Sequence, residues 1–192
     1  INATPKPDPE RVKVLASEFM AANGFMEMMN NSLTKSDYYA QLKSYPQENC
    51  VMLVNPLSSD LNCMRQTLLL NGLEVVAYNI NRQQNDLKLF EFGNVYRFNP
   101  AFDASEGDAL KAYSEEPRFS IFISGNGYQS WRNRTYCGNF FTLKGYMELL
   151  LAKFGVKVAN LEYEAAPSDL FAEGFVYKMP GGKEIAVMGT IS

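Results

Sequence analysis

The side chains that most often perform chemistry near neutral pH are sparse in this sequence. Its 192 residues include no histidine, which removes Ser-His-Asp and Cys-His catalysis and most zinc sites. The neighbouring carboxylates Glu115 and Glu116 lie in a polar stretch before Pro117. Because adjacent side chains do not converge as an acid/base pair requires, we interpret them as solvated surface. No pattern brings a nucleophile, a base and an oxyanion site together, so the chain is predicted to be non-catalytic.

One acid stands apart from the others. Glu91 lies inside the apolar run from Leu87 to Phe98, which is typical of a buried strand. A buried carboxylate requires a charged or hydrogen-bonding partner. Arg65 and Arg82 are the two candidates for that partner. Whether Glu91 is functional or structural is left open.

A glycine motif follows one of the predicted strands. Gly125-Asn126-Gly127 could cradle a phosphate, but it lacks the glycine spacing and the following Lys-Ser/Thr of a phosphate-binding loop. Asn-Gly is also a turn dipeptide in its own right. The sequence therefore favours a plain turn at this point.

A second loop motif could contact RNA. Trp131-Arg132-Asn133-Arg134 continues to Tyr136 and interleaves aromatic rings with two arginines, a pattern typical of contact with single-stranded nucleic acid. The alternative is an exposed loop whose tryptophan folds back on the core. Trp131, Arg132 and Arg134 are the candidate RNA contacts.

The sulfur-containing residues do not predict a metal or disulfide framework. The cysteines are widely spaced and form no Cys-x-x-Cys pair: Cys50, Cys63 and Cys137. This usage favours a reducing cytoplasm. A methionine cluster near the N-terminus is interpreted as core or interface packing: Met26, Met28 and Met29.

Composition bounds the class of protein. The chain is 46% hydrophobic and 20% charged with a net charge of -3, which is ordinary for a globular domain with a sizeable core. No run approaches the ~18 apolar residues that span a bilayer. The first residues form no secretory signal and lack an initiator methionine, which predicts processing or a piece of a longer polypeptide. We expect one domain over residues 1–192.

Apolar periodicity predicts the elements that position these residues. Asp8 and Pro9 are typical of a helix start and Gly24 of its end, with one apolar face between them: Val12, Leu15, Ala16, Phe19 and Met20. The remaining expected elements are a strand at 25–33, a short helix at 37–43, a strand at 51–54, a helix at 61–80, strands at 87–98 and 118–124, a helix at 141–154, and a hairpin at 175–191 that turns at 180–182.

Two further features complete the predicted architecture. Gly93 is a bulge or a point of close approach within strand 87–98, and residues 99–116 form a surface excursion. The fold class is α+β, with a largely antiparallel sheet and helices packed on it.

Four motifs in order carry a resemblance to a known family. They are Asn-Pro-Leu-Ser at 55–58, Met-Arg-x-x-Leu-Leu at 64–69, Asn-x-Asn-Arg at 79–82 and Leu-Phe-Glu-x-Gly-x-Val-Tyr at 89–96. This run resembles the signature of the bacterial phenylalanyl-tRNA synthetase β-subunit family. Similar family motifs occur at 24–27, 140–145 and 186–189, so the resemblance extends from about Asp8 to Ile191.

The resemblance implies a fold and a setting. The fold would be a degenerate, non-catalytic copy of the class II aminoacyl-tRNA synthetase domain, an antiparallel sheet flanked by helices. In the family, the α subunit binds ATP, phenylalanine and the acceptor end of tRNA, in a cytoplasmic α2β2 assembly. ATP and magnesium are thus implied for the whole enzyme, and no cofactor is expected in this part. Neither DNA nor a membrane is an expected partner.

Within that setting we expect the predicted helix 61–80 to offer an apolar stripe to the α subunit. The stripe consists of Met64, Leu68, Leu69, Leu73, Val76 and Ile80. Two rivals remain open. One is a small active ligase that uses the fold directly, and the other is a free-standing interaction or tRNA-binding module.

Overall fold

A computed structural model of the chain describes residues 8–102, 108–125 and 139–191. The α-helices of these ranges are α1 Pro9–Ala22, α2 Leu69–Ile80 and α3 Phe140–Lys153. Their strands are β1 Met26–Glu27, β2 Leu33–Thr34, β3 Val51–Met52, β4 Cys63–Met64, β5 Leu87–Phe98, β6 Tyr113–Ser124, β7 Glu162–Ala165, β8 Glu173–Lys178 and β9 Glu184–Thr190.

The longest paired elements are β5 and β6. They run antiparallel without a register shift from the pair Leu87–Ser124 to the pair Phe98–Tyr113, and β1 adds to β5 in parallel. The prediction of strand 87–98 is confirmed at both ends. The prediction of 118–124 is too short, because residues 113–117 are exposed and are held by main-chain pairing, which leaves no apolar alternation in the sequence.

Side chains of the same chain pack on both faces of one half of the β5–β6 pair, residues 87–92 and 119–124. On one face an aromatic cluster contains Met20, Phe25, Phe90, Phe92, Phe119 and Tyr146. On the other face α2 packs through Leu69, Val75 and Val76 against Met28, Leu87, Leu89 and Phe122. The strands therefore contribute to the core on both sides.

The first helix begins and ends where the sequence predicts. Asp8 accepts a hydrogen bond from the Glu10 amide, Pro9 occupies the first helical position, and Gly24 follows the helix with φ of 79°. Ala16 and Met20 are buried, whereas Val12 is exposed. The apolar face is thus narrower than its periodicity indicates.

The prediction of one helix over 61–80 is wrong. The helix α2 begins at Leu69, and the residues before it form a 3-10 turn at Ser59–Leu61 and the strand β4, which pairs with both β2 and β3. The Arg65 amide donates to the Ser32 carbonyl and the Gln66 amide to the Tyr39 hydroxyl. Because these long-range hydrogen bonds hold the backbone outside a helical conformation here, tertiary contacts override the helical spacing of the apolar residues.

Other short elements also differ from their predictions. The strand predicted at 25–33 is interrupted, and this range contains only β1 and the first residue of β2. The interruption occurs at Asn30, whose main-chain and side-chain amides both donate hydrogen bonds to Glu91. The helix predicted at 37–43 is a 3-10 turn at Ser36–Tyr39, and the strand predicted at 51–54 is limited to Val51–Met52.

The C-terminal part forms a second layer around α3. Asn139 caps α3 through the Thr142 amide, and β7, β8 and β9 form an antiparallel sheet in that order. The hairpin predicted at 175–191 is confirmed, with its turn at Gly181 and Gly182, which both have positive φ. The strand β7 was not predicted, since all four of its residues are exposed.

The predicted α+β class is confirmed, with antiparallel pairing everywhere in the described ranges except between β1 and β5. The strands are divided among three small sheets instead of one. That residues 1–192 form a single domain stays a prediction. Among the described residues, the helices are all too short or too polar to cross a bilayer.

Candidate functional site

Two of the four signature motifs, 64–69 and 89–96, meet in a buried ion pair. Arg65 directly follows β4, and Glu91 lies near the centre of β5. Their side chains form an ion pair with 2.7 Å between Arg65 Nη1 and Glu91 Oε1. The two residues are 2% and 1% exposed. At this burial the cost of desolvating each charge is large, so the pair depends on further hydrogen bonds.

Those further bonds are present on both partners. The Asn30 main-chain amide donates to Glu91 Oε1 at 3.2 Å, and the Asn30 side-chain amide donates to Oε2 at 2.8 Å. Arg65 Nε donates to the Asn94 carbonyl at 3.0 Å. Both oxygens of the carboxylate and two nitrogens of the guanidinium are therefore bonded within the chain.

Gly93 makes room for this arrangement. A Cβ atom at this position would lie 2.1 Å from Arg65 Nη2, so any side chain here would clash with the Arg65 guanidinium and force it to shift. The register between β5 and β6 is continuous here, so Gly93 is a point of close approach and not a bulge. The Arg65 carbonyl also accepts from the Tyr96 amide at 2.8 Å, which ties the chain before α2 to β5.

This arrangement is suited to holding elements together and not to proton transfer. A general base needs a free lone pair within reach of a substrate, and both Glu91 oxygens are bonded to side-chain or main-chain donors. Of the two predicted partners, Arg65 is the one that binds Glu91. Arg82 is exposed and stacks over the Tyr78 ring, with 3.3 Å between Cζ and the ring centroid.

The acids predicted to be solvated surface are exposed, but they lie on β6 and not in a loop. Asn94 donates to Glu115, and Glu116 pairs with Arg118 on the same strand. Their side chains alternate between the two faces of the strand, so they do not converge.

A second cluster, of buried cysteine and tyrosine side chains, was not predicted from the sequence. Cys50 and Cys63 are both buried and lie together beneath Tyr39, although 13 positions separate them in the chain. Burial raises the pKa of the Tyr39 hydroxyl, which accepts a hydrogen bond from the Gln66 amide at 3.0 Å. The signal was the repeated Cys-Val-Met and Cys-Met pattern on either side of the Asn-Pro turn at 55–56, which is typical of two strands of one hairpin.

A third contact joins distant parts of the chain. Asp169 follows β7 and accepts hydrogen bonds from the main-chain amides of Lys43 and Ser44, both at 2.8 Å, and from the Ser44 hydroxyl at 2.7 Å. The Ser44 side-chain and main-chain donors hold the pKa of Asp169 below its ordinary value. Nothing in the local sequence indicates this contact, because its partners are more than 120 positions apart.

The predicted loop sites are only partly within the described residues. Gly125 ends β6 with φ of 83°, and a Cβ there would lie 2.4 Å from the Asn85 carbonyl oxygen, so only glycine fits. Residues 126 and 127 of that motif lie outside the described residues. So do Trp131, Arg132 and Arg134, and their contact with RNA stays a prediction.

Comparison with known proteins decides the family. A profile of the phenylalanyl tRNA synthetase beta chain CLM domain matches residues 2–192. The chain belongs to this family. It is 39% identical over 183 residues to the phenylalanine–tRNA ligase beta subunit of Bacteroides fragilis and 40% identical over 181 residues to that of Porphyromonas gingivalis. These alignments cover 95% and 94% of this chain.

The same comparisons show how much of its relatives this chain covers and which solved structures share its fold. The alignments cover 22% of each of those two beta subunits, so the chain spans about a fifth of their length. Two solved structures of pyrrolysyl-tRNA synthetase from Desulfitobacterium hafniense share its fold, each with a TM-score of 0.62 over 95% of this chain. They are 15% and 14% identical to it and therefore show the fold alone, which is that of a class II synthetase.

The structure changes which of the six predicted interface residues are available to contact another subunit. In this β-chain domain Met64 lies on β4 and not on a helix, and Leu68 is buried at 3% exposure. Leu69 and Val76 pack against the domain's own sheet. Of the six residues, Leu73 is half-buried on α2 and Ile80 is exposed.

Proposed function

We propose that this chain is the synthetase-like core of a phenylalanine–tRNA ligase β subunit, and that it is a scaffold on which the catalytic α subunit assembles. The observation that carries the scaffold role is the packing on residues 87–92 and 119–124 of the β5–β6 pair, since aromatic side chains cover one face there and α2 covers the other. Its similarity to curated β subunits over 95% of the chain supports the setting.

Phenylalanine, ATP and magnesium are assigned in this proposal to the α subunit. The described residues do not fit a magnesium site, because the acid at the centre of the fold, Glu91, already has Asn30 and Arg65 on its oxygens. No group of three acids or cysteines within the described ranges is placed to hold a metal ion. The proposed assembly is an α2β2 heterotetramer that charges tRNA in the cytoplasm.

The proposed contact surface is the outer side of α2. Leu73, Ala77 and Ile80 follow one another at i, i+4 and i+7, which places them in one stripe that the sheet does not cover completely. Ile80 is 44% exposed. Clustered exposed apolar side chains of this kind mark interaction sites. Leu68, Leu69 and Val76 are then buried or packed on the sheet and support the stripe, and Met64 on β4 lies outside it.

Co-expression of the full β subunit with the α subunit tests this proposal. We expect Ile80→Glu to weaken assembly at least tenfold, because an unpaired carboxylate buried in an interface costs about 2 kcal/mol or more. The measurement is the amount of α subunit that co-purifies with tagged β subunit, followed by sedimentation of the purified complex.

Leu149→Glu is the matched control, since Leu149 is a 59% exposed leucine on another helix, α3. Loss of assembly in the Ile80 variant with retention in the Leu149 variant would support the assigned surface. Equal behaviour of the two variants would contradict it, whether both assemble or both fail.

A further inference from the structure

The paired cysteines lie in a core of their own. Cys50 is 4% exposed, and Cys63 and Tyr39 are fully buried. Leu42, Tyr45 and Leu70 pack around them, so the start of α2 rests on this cluster. Neither the scaffold role nor the family assignment involves these thiols.

The two cysteines lie at neighbouring points of the paired strands β3 and β4. Cys63 on β4 is directly opposite Met52 on β3, and Val51 is opposite Met64. Cys50 comes directly before β3, at the end of the 3-10 turn Gln47–Asn49, and belongs to the same buried cluster as Cys63. The Cys63 thiol donates a hydrogen bond to the Cys50 sulfur within this cluster, so the two side chains are within reach of each other.

Hydrogen bonds polarise the pair unequally. The Gln66 side-chain amide donates to Cys50 Sγ at 3.1 Å, and the Cys63 thiol has two acceptors, the Cys50 sulfur and the Thr34 carbonyl at 3.5 Å. Donation from Cys63 lowers the pKa of Cys50 to about 7, and the same contact raises the pKa of Cys63. Cys50 is thus the better nucleophile, and Cys63 retains its proton.

An open depression lies beside the cluster, and neither cysteine lines it. The depression, of about 640 Å³, is lined by Tyr39, Leu42, Pro46, Gln47 and Met52. Tyr39 packs in one cluster with both cysteines, and Met52 is the cross-strand neighbour of Cys63. A reagent in the depression is therefore separated from the sulfurs by these two side chains.

We propose that Cys50 and Cys63 form a redox modification site that a small hydroperoxide converts to a disulfide. The Cys50 thiolate attacks one peroxide oxygen, so that an S–O bond forms and the O–O bond breaks. With hydrogen peroxide, the leaving hydroxide takes up a proton to give water, and Cys50 becomes a sulfenic acid. The Cys63 sulfur then attacks Cys50, an S–S bond replaces the S–O bond, and the hydroxyl leaves as water with the proton of Cys63. Two thiols are oxidised by two electrons, and one peroxide is reduced to two waters.

The sequence provides a direct assay. No lysine or arginine lies between Lys43 and Arg65, so trypsin releases both cysteines in the single peptide 44–65. A disulfide within it lowers its mass by about 2 Da and blocks alkylation of both sulfurs. Cys137 falls in a separate peptide, 135–144, and is an internal control.

The experiment treats the full-length ligase with hydrogen peroxide at neutral pH, quenches it in denaturant with an alkylating reagent, and digests it. We expect most of peptide 44–65 to become lighter by about 2 Da and to recover with dithiothreitol, while peptide 135–144 remains alkylated. In Cys63→Ser, Cys50 should instead carry a trapped sulfenic acid.

Two results would overturn the proposal. One is full alkylation of both cysteines after treatment. The other is oxidation of peptide 135–144 as fast as that of peptide 44–65, which would indicate unselective chemistry. Both are read in the unsubstituted protein, so they do not depend on whether a serine variant folds.

Discussion

A carboxylate that is 1% exposed tolerates little change around it, and Glu91 lies at the point where three separate parts of the chain meet. Asn30 reaches it from the segment after β1, Arg65 from the end of β4, and Gly93 opens the space beside it on β5. One buried network thus explains Arg65, Glu91 and Gly93 of the family signature, and its effect is on stability and geometry.

We expect Glu91→Gln to lower the free energy of unfolding by about 3 kcal/mol or more, because it leaves the buried Arg65 without a counter-charge. The measurement is urea denaturation of the β subunit. Glu116→Gln is the control, since Glu116 pairs with Arg118 at an exposed site, and its effect should stay within about 1 kcal/mol. Similar losses in both variants would contradict a special role for the buried pair.

The sequence predicted that Glu91 needs a partner but could not choose between Arg65 and Arg82. Both arginines were expected near one helix, and the choice depends on where that helix begins. Arg65 precedes α2 and its side chain is buried, whereas Arg82 follows α2 at the surface. The missing information was tertiary, and no local pattern around either arginine contains it.

At the scale of elements, predictions succeeded where one signal was sufficient. Strand β5 is rich in aromatic and aliphatic residues, and its bounds are confirmed at Leu87 and Phe98. Helix α3 has a cap at Asn139 and a closing Gly155, and its prediction is displaced by one residue. The start of α2 failed because Met64 and Leu68 match helical spacing by coincidence, while distant partners hold the intervening backbone.

The contact between α2 and β6 depends on a glycine. A Cβ on Gly72 would lie 2.1 Å from the Phe122 ring, so the helix can approach the sheet only without a side chain there. We expect Gly72→Ala to lower the free energy of unfolding by about 1–3 kcal/mol, the usual cost of overpacking. Thermal or urea denaturation measures this loss.

Gly145→Ala is a closely matched control. Gly145 also lies in a helix, α3, and a Cβ there would meet no atom within 4 Å. Its replacement should raise the stability by about 0.5–1 kcal/mol, since alanine is the better helix former. A loss at both positions would show that backbone effects and not the Phe122 contact decide the outcome.

At the scale of the whole molecule, Asp169 fastens the layer of β7, β8 and β9 to the turn at Lys43 and Ser44. We expect Asp169→Asn to cost about 1 kcal/mol at pH 7, because the charged acceptor has three donors and the amide oxygen binds them more weakly. Urea denaturation across a pH series measures the difference between the two proteins.

The sign of the pH dependence follows from the lowered pKa of Asp169. Its contribution is present in full above the unfolded value of about 3.9 and is lost as pH falls through the folded value. The two proteins should therefore differ by a constant amount from pH 6 to 8 and converge below about pH 4. Asp60→Asn, at an exposed pair with Lys35, should show little difference at any pH. A pH-independent difference for Asp169→Asn would contradict this account.

The ladder between β5 and β6 also bears on the order of folding. It joins residues that are close in sequence, whereas the contacts of β1 with β5 and of Asp169 with Ser44 close much longer loops. Contacts between near neighbours lose less chain entropy on closure and form faster. During synthesis, the hairpin can consequently assemble as soon as Ser124 has emerged from the ribosome, before α3 and β7 to β9 have emerged. It would then be the nucleus on which the later elements condense.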